Sequence, residues 1–345
     1  MAGLAACRKG EHGTDVPFPL PVAIAIFLAP MPADSPMPPE PIWVIAGPTA
    51  SGKSALAVEL AERHGGEIVS MDSMTVYRRM DVGTAKPTAD ERSRVQHHLI
   101  DLVDPDQDFD TARWCAAAAD ATAEIVARGK RPIFVGGTAL YLMAFFKGLM
   151  QGPAADVALR KELEAREAER PGCLHEELQQ KDPVAATRIH RNDLRRVVRA
   201  LEVFARTGKP ISEQQEHFDR DAWARPCRIA AIAWPRETLH DRVKARTDAM
   251  LDQGLVSECA AIESSCGFSQ TAGAAIGYAE CRDFLRGRYK DRQELRNRIR
   301  RNTHHLIRRQ TTWLRRLLEV RWIPGGADVL ALHAALVRED VRTKG

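Results

Sequence analysis

Cysteine is sparse, and its spacing is not that of a bonded or metal-binding set. Seven cysteines are spread over 345 residues without a C-x-x-C pair. An odd number in this arrangement supports neither a disulfide framework nor a zinc site. We therefore expect reduced thiols and a cytoplasmic location.

Long hydrophobic runs are also missing. No stretch of about 18 apolar residues occurs, so a membrane-spanning helix is not expected. The apolar run 22–29 follows Arg8 and Lys9 and loosely imitates a secretory signal, but it is short and bracketed by prolines. We interpret residues 1–40 as a Pro-rich, poorly ordered extension instead.

A strong charge of one sign is absent from the chain as a whole. The net charge is +4, and 44% apolar and 28% charged residues are ordinary globular usage, which excludes fibrous and largely disordered classes. The charge is unevenly placed, however. Segment 281–321 holds fourteen cationic and four anionic side chains, a net charge of +10. Such a segment suits a polyanionic partner.

Strand and helix patterns alternate through most of the chain. This alternation predicts an α/β fold with a P-loop NTPase-like parallel sheet covered by helices. The predicted strands are 42–46, 67–70, 132–135 and 229–233. The predicted helices are 54–63, 110–128, 138–147, 236–252, 254–264 and 291–318.

Segment 151–225 breaks this alternation. It is highly charged, contains no convincing strand, and has helical periodicity at 157–169, 183–190 and 193–206. We predict an all-helical insertion domain here. The catalytic core would then consist of 41–150 and 226–345, with basic helices near its C-terminal end.

The segment Gly47-Pro48-Thr49-Ala50-Ser51-Gly52-Lys53-Ser54 matches G-x-x-x-x-G-K-[ST] between a predicted strand and a predicted helix. In this context the loop N–H groups and the helix N-terminus bind phosphate, Lys53 reaches the outer phosphate, and Ser54 can hold Mg²⁺. The motif predicts a site for a di- or triphosphate, but it leaves open which one.

Asp72 follows the second predicted strand, which places it beside the bound phosphates. At this position the carboxylate could hold Mg²⁺ through water, act as a general base, or cap the next helix. Position alone does not decide between these roles.

Together the motifs resemble those of the tRNA dimethylallyltransferase family, also called tRNA isopentenyltransferases. The matching blocks are 47–54, 72–87 (DSMTVYRRMDVGTAKP), 97–101 (HHLID), 135–141 (VGGTALY), 189–203, 207–210, 276–278 and 309–313 (RQTTW). The departures are modest: the family often has Gln at Thr75, Gly at Arg79, Lys at Ala279, and Ala-Lys at Ile307-Arg308.

The resemblance implies transfer of a dimethylallyl group from its diphosphate to N6 of the adenosine at tRNA position 37. The loop 47–54 would bind the diphosphate, Asp72 would be the general base, and Arg246 would neutralise the leaving group together with Lys53 and Ser54. Mg²⁺ on Ser54 is the implied cofactor. The expected partners are dimethylallyl diphosphate and the tRNA anticodon stem-loop, and we expect a monomer.

The expected tRNA contacts rest on the same resemblance and on the basic segments. They are Asp72, Ser73, Met74, Thr75, Thr138, Arg160, Arg195, Arg196, Arg199, Gly277, Tyr278, Arg308 and Arg309. Thr138 could cap a helix, with or without a contact to tRNA. Tyr278 and Trp313 are candidates for stacking on an unpaired base.

Two other functions are compatible with parts of the sequence. A small-molecule or nucleoside kinase would share the phosphate loop and Asp72, but it explains neither the basic segment nor the GGT-x-LY block. An RNA-binding module with a degenerate loop is disfavoured by the intact Lys53 and Ser54.

Overall fold

A computed structural model of the chain describes residues 38, 40–148, 152–153, 155–214 and 223–337. The predicted extension 1–40 therefore lies outside the described residues, apart from positions 38 and 40.

A six-stranded, fully parallel sheet forms the centre of the described chain. The strands are β1 (Ile42–Ala46), β2 (Gly66–Met71), β3 (His97–His98), β4 (Arg131–Gly136), β5 (Cys227–Ala233) and β6 (Val320–Pro324). Their order across the sheet is β3-β2-β4-β1-β5-β6. The predicted α/β class with a parallel sheet is confirmed.

Helices cover both faces of this sheet. Those of the core are α1 (Lys53–His64), α2 (Ala89–Arg94), α3 (Thr111–Ala127), α4 (Ala139–Phe146), α10 (Arg236–Asp252), α11 (Leu255–Ser265), α12 (Gln270–Gly273), α13 (Tyr278–Leu285), α14 (Arg292–Leu314) and α15 (Val329–Val337). Successive strand residues point to opposite faces: Val44 joins a cluster with Trp114, whereas Ile45 joins a cluster with Leu60. Burial on both sides explains the continuous apolar runs of the central strands.

The sheet differs from the sequence prediction at both edges, because neither β3 nor β6 was predicted as a strand. The helix predicted over 291–318 ends at Leu314, and Val320–Pro324 pairs with β5 as an edge strand. Only part of this strand is buried, and Arg321 interrupts its apolar pattern. An edge strand has one sheet neighbour, so its sequence carries a weaker signal than that of a central strand.

The segment predicted to be an insertion contains helices in its described part. They are α5 (Val157–Glu169), α6 (Cys173–Lys181), α7 (Pro183–Arg188), α8 (Leu194–Thr207) and α9 (Ile211–Gln214). Helix α6 was not predicted. These helices share a hydrophobic cluster of their own, centred on Leu174, Leu178 and Leu201. The domain boundaries stay a prediction.

Glu202 on α8 fastens α5 to this cluster. Its fully buried carboxylate accepts hydrogen bonds from the Asp156 N–H at 2.7 Å and from Arg160 Nε and Nη2, both at 2.8 Å. Arg199 on the same helix also pairs with it. Such a buried carboxylate stabilises the fold only while all of these donors are present, because losing one partner leaves a buried charge or polar group unpaired.

Replacing Glu202 with Ala should lower the free energy of unfolding by about 2–4 kcal/mol, because two guanidinium groups and a backbone N–H lose their acceptor. Urea denaturation measures this change. The matched control is Glu169→Ala at an exposed position of α5, which should have little effect. Equal stability of the two variants would contradict the assigned role.

Candidate active site at the carboxyl edge of the sheet

The phosphate loop joins β1 to α1 in an anion-binding shape. Gly47 and Gly52 have φ angles of +153° and +87°, which favour glycine, and Ala50 also lies in the left-handed region. No side chain caps the N-terminus of α1, so its first N–H groups remain available to a ligand. Trp234, which follows β5, holds the loop in place because its Nε1 donates to the Ser51 carbonyl at 2.9 Å.

A cavity of about 450 Å³ opens above this loop. One wall is formed by Ala85, Pro87 and Glu91, and the other is formed by the α10 residues Arg242, Ala245 and Arg246. Lys53 and Ser54 lie at its base. Three cationic side chains around one cavity suit a multiply charged anion such as a diphosphate.

Burial is the main cause that lowers the pKa of Lys53 to about 8, and the nearby Arg246 lowers it further, while Asp72 opposes both effects. Burial also lowers the pKa of Arg246, and Asp72 again opposes the shift. Lys53 Nζ donates to the Pro48 carbonyl at 3.3 Å. The two cations and Asp72 therefore interact electrostatically within one site.

Diphosphate binding should weaken above about pH 8, by up to tenfold per pH unit, because Lys53 must be protonated to pair with the anion. Below that pKa, Lys53 is already charged, so its contribution to diphosphate binding is constant. Above that pKa, the Lys53 amine must take up a proton when diphosphate binds. Titration calorimetry at alkaline pH in buffers of different ionisation enthalpy measures this proton uptake. The matched control is Lys53→Arg, which should abolish it; uptake by the variant equal to that of the natural protein would contradict the assignment.

Asp72 lies immediately after β2 and is half-buried. Its Oδ1 accepts a hydrogen bond from the Met74 N–H at 2.8 Å. Within the described part of the chain, Oδ2 has no hydrogen-bond partner. One oxygen therefore fixes the carboxylate while the other is available to a substrate, an arrangement suited to a general base.

The loop after β4 is locked to the loop that carries Asp72. Thr138 Oγ1 accepts from the Ser73 N–H at 3.2 Å, and the Thr138 N–H donates to the Met71 carbonyl at 3.3 Å. Thr138 occupies the N-cap position of α4 but makes no side-chain capping bond. The hydroxyl therefore supports the Asp72 loop instead of the helix.

Thr75 does not present its side chain to a ligand. It is buried, and its hydroxyl bonds to Ser70 Oγ at 2.9 Å and donates to the Asp72 carbonyl at 3.3 Å. The hydroxyl is thus used to shape the loop, and the expected tRNA contact of Thr75 stays a prediction.

A strap formed by residues 81–87 closes one side of the cavity. Glu258 on α11 accepts hydrogen bonds from the N–H groups of Asp81 at 3.1 Å and Val82 at 3.0 Å, and Arg246 Nη2 donates to the Thr84 carbonyl at 3.4 Å. The side chain of Lys86 is buried and pairs with Asp81 at 2.7 Å. The strap thus connects α11 to Arg246, which lines the cavity.

Tyr278 belongs to the anchor of this strap. Its side chain is fully buried, its hydroxyl donates to Glu258 at 2.5 Å, and it accepts from the Gly83 N–H at 3.1 Å. A Cβ at Gly83 would lie 2.4 Å from the Tyr278 ring, so this close approach requires glycine. In this structure the Tyr278 ring packs inward, so the expected stacking on a base stays a prediction. The neighbouring Gly277 supplies a left-handed turn, with φ +99°.

The predicted basic residues divide into paired and unpaired groups. Arg160 and Arg199 bind Glu202, Arg196 lies 3.4 Å from Asp193, Arg298 pairs with Glu294 and Arg300 pairs with Asp248. Within the described residues, no ion pair or hydrogen bond involves the side chains of Arg195, Arg301, Arg308, Arg309 and Arg315, all of which are exposed.

Arg301 and Arg308 on α14 and Arg315 at its C-cap are spaced by seven residues, so they form a continuous stripe on the exposed face of the helix. Trp313 is half-buried and packs against the core. The stripe and the adjacent Arg309, rather than every arginine of 281–321, offer a polyanion guanidinium groups without a partner among the described residues. All tRNA contacts expected of these residues stay predictions.

Two residues that shape the site, Glu258 and Gln310, were not predicted from the sequence, and Arg242, one helical turn before Arg246, also contacts the phosphate loop. Arg242 Nε donates to the Ala50 carbonyl at 2.6 Å and its guanidinium lies over the Trp234 ring. Glu258 anchors the strap, and Gln310 contacts the phosphate loop. In each of these contacts the two residues are far apart in sequence, so no local pattern predicts that they meet.

The described residues contain no group of three or more His, Cys, Asp or Glu side chains placed to hold a metal ion. In the same part of the chain, no helix combines the length and apolarity needed to cross a bilayer.

The fold and site define a P-loop α/β protein whose cationic cavity lies beside a carboxylate. The family model described as IPP transferase matches residues 75–317, and the model described as isopentenyl transferase matches residues 40–102. The chain therefore belongs to the IPP transferase family, and the sequence resemblance is confirmed.

Curated relatives have the same name across different bacteria. The chain is 48% identical over 291 residues to the tRNA dimethylallyltransferase of Geobacter metallireducens, covering 83% of this chain and 93% of the relative. It is 42% identical over 285 residues to that of Thermotoga petrophila, covering 81% and 91%.

Solved structures agree with this assignment. A full-length tRNA isopentenylpyrophosphate transferase from Bacillus halodurans is 36% identical, with a TM-score of 0.62 over 85% of this chain and 94% of that one. A eukaryotic dimethylallyltransferase described as acting on tRNA is 28% identical, with a TM-score of 0.70 over 86% and 76%.

Proposed function

We propose that this protein is a tRNA dimethylallyltransferase that transfers the dimethylallyl group of dimethylallyl diphosphate to N6 of adenosine 37, next to the anticodon. The products are N6-dimethylallyladenosine and diphosphate. The observation that carries the proposal is the location of Asp72 beside the Lys53 and Arg246 cations of the phosphate cavity, in a chain of this family.

The cavity supports the departure of diphosphate. As the bond between the allylic carbon and oxygen breaks, negative charge increases on the leaving oxygens, so cations that face them stabilise the transition state more than the substrate. Lys53 and Arg246 would supply that charge, together with the N–H groups of 50–54. Because Lys53 is charged only below a pKa of about 8, this stabilisation is available at neutral pH.

Ser54 fits a role in holding Mg²⁺ with the diphosphate. Its hydroxyl lies exposed at the cavity on the first turn of α1. The described residues offer no acidic cluster that would hold a metal without substrate, so a cation bound by Ser54, diphosphate oxygens and water suits this donor set. When bound, Mg²⁺ would add positive charge on the leaving-group oxygens.

Asp72 would act on the acceptor. The exocyclic N6 amine is a weak nucleophile because its lone pair is delocalised into the ring. As N6 forms its bond to the allylic carbon, the bond from that carbon to oxygen breaks and its electron pair leaves with the diphosphate. The Asp72 carboxylate would take one N6 proton, which removes the positive charge that the new bond places on the nitrogen. The Met74 N–H holds Oδ1, which leaves Oδ2 to accept this proton.

The acceptor base must leave its stack to reach this site, at a cost of a few kcal/mol. Contacts to the RNA backbone elsewhere would offset that cost. The stripe of Arg301, Arg308 and Arg315 along α14 and its C-cap would provide such contacts. We further propose that the protein works as a cytoplasmic monomer on the anticodon stem-loop.

The kinase alternative is not favoured, since the family model and the curated relatives are those of prenyl transferases. An RNA-binding module without chemistry is also disfavoured, because the loop glycines have the geometry of an intact anion site.

The proposed function is tested by incubating the protein and Mg²⁺ with unmodified tRNA and either dimethylallyl diphosphate or ATP. Nucleoside mass spectrometry should detect dimethylallyladenosine with the diphosphate donor only. ATP hydrolysis or a phosphorylated product, without prenylated nucleoside, would contradict the proposal and favour the kinase alternative.

A further inference from the structure

Gln310 joins two loops of the site and is not used by the mechanism above. It lies on α14, and its Oε1 accepts a hydrogen bond from the Thr49 N–H of the phosphate loop at 2.9 Å. Its Nε2 donates to the Gly137 carbonyl, in the loop after β4, at 3.0 Å. Both ends of one side-chain amide are therefore engaged, each with a backbone group of a different loop.

The packing around Gln310 allows little freedom. A Cβ at Gly137 would lie 2.4 Å from Gln310 Nε2 and 2.9 Å from the Gly47 carbonyl oxygen, so glycine is required where the three segments meet. Reversing the amide would place a donor against the Thr49 N–H and an acceptor against the Gly137 carbonyl. The site therefore specifies glutamine in one orientation.

The bonded chain continues from this junction to the catalytic carboxylate. Gly137 precedes Thr138, which accepts from the Ser73 N–H beside Asp72. The phosphate loop would hold the leaving group, whereas the Ser73 and Thr138 loops adjoin the proposed base. Transfer requires the allylic carbon, N6 and the departing oxygen to be aligned, and misplacement by about 1 Å can cost 100-fold in rate.

We propose that Gln310 is a positioning residue that sets the phosphate loop against the Thr138 loop, and so aligns the diphosphate with the acceptor base. The inference rests on the proposed function. It also gives α14 two roles: its exposed stripe would contact RNA, while Gln310 on a half-buried face holds the site together.

The test uses Gln310→Glu and Gln310→Ala in the full chain. Glutamate keeps an acceptor for the Thr49 N–H but loses the donor to Gly137, whereas alanine loses both bonds. The matched control is Gln293→Glu on the same helix, where Gln293 is exposed and bonds only to Asn297 and Arg296 of α14 among the described residues. Four quantities are measured: the single-turnover rate with both substrates saturating, the affinities for inorganic diphosphate and for tRNA, and the thermal midpoint.

We expect both Gln310 variants to lose about ten- to 100-fold in the saturating single-turnover rate, with tRNA affinity near that of the natural protein. Diphosphate affinity should be kept in Gln310→Ala and fall in Gln310→Glu, because the added carboxylate beside the Thr49 N–H repels the anion. The Gln293 variant should match the natural protein. An unchanged rate would overturn the inference, and so would a parallel fall of rate, both affinities and thermal midpoint, which indicates a merely structural role. If the natural protein makes no prenylated product, the proposed function fails and not this inference alone.

Discussion

Replacing Asp72 with Asn should lower the rate of dimethylallyl transfer by about 10²–10⁴-fold. Asparagine keeps an oxygen that can accept the Met74 N–H, so the loop geometry is retained, but the amide cannot take the N6 proton. Single-turnover kinetics with saturating tRNA and dimethylallyl diphosphate measures the effect directly.

The matched control for this variant is Asp106→Asn, an exposed aspartate outside the site. It should transfer at the natural rate. Binding of both substrates should persist in Asp72→Asn, because neither the cavity cations nor the α14 stripe is altered. A variant that turns over within a factor of about three of the natural protein would rule out Asp72 as the base.

Replacing Arg246 with Gln should lower the saturating rate by about 10²–10³-fold, which is the cost of removing one donor to a developing oxyanion. The guanidinium lines the cavity, and its Nη2 donates to the Thr84 carbonyl of the strap. The loss should be larger in the rate than in diphosphate affinity, because negative charge on the leaving oxygens increases as the bond breaks.

Lys244→Ala is the matched control, since Lys244 is an exposed cation on the same helix α10. Its rate should be unchanged. If Arg246→Gln instead raised the KM for dimethylallyl diphosphate without lowering kcat, Arg246 would contribute only uniform binding of the substrate.

The parts of the site that depend on local pattern could be predicted from the sequence. The phosphate loop has its own signature, and the strand before it fixes where the signature lies in the fold. Asp72 could be placed because the ends of neighbouring parallel strands meet at one edge. The family resemblance, and with it the fold class, is confirmed by the comparisons.

The parts that depend on side-chain direction could not be predicted. Tyr278 was expected to stack on a base, yet it packs inward because Gly83 lets its hydroxyl reach the strap. Thr75 faces Ser70 for a similar reason, since the turn after Asp72 buries its hydroxyl. A sequence motif identifies a position, whereas tertiary packing decides which way the side chain points.

Long-range polar contacts were equally hidden. Gln310 lies 261 residues from Thr49 and 173 residues from Gly137, so no spacing rule connects them. The pairing of the arginines in segment 281–321 could not be predicted either. Net charge predicted a polyanion-binding segment, but only the structure shows that Arg298 and Arg300 are already paired within the protein.

The most direct test of the central claim is to locate the product on RNA. An anticodon stem-loop with adenosine at position 37 is incubated with the protein, Mg²⁺ and dimethylallyl diphosphate, cleaved with a nuclease, and analysed by tandem mass spectrometry. We expect one added five-carbon unit on the base at position 37, and none when that adenosine is replaced by guanosine. A five-carbon unit on another base, or no unit on any base, would contradict it.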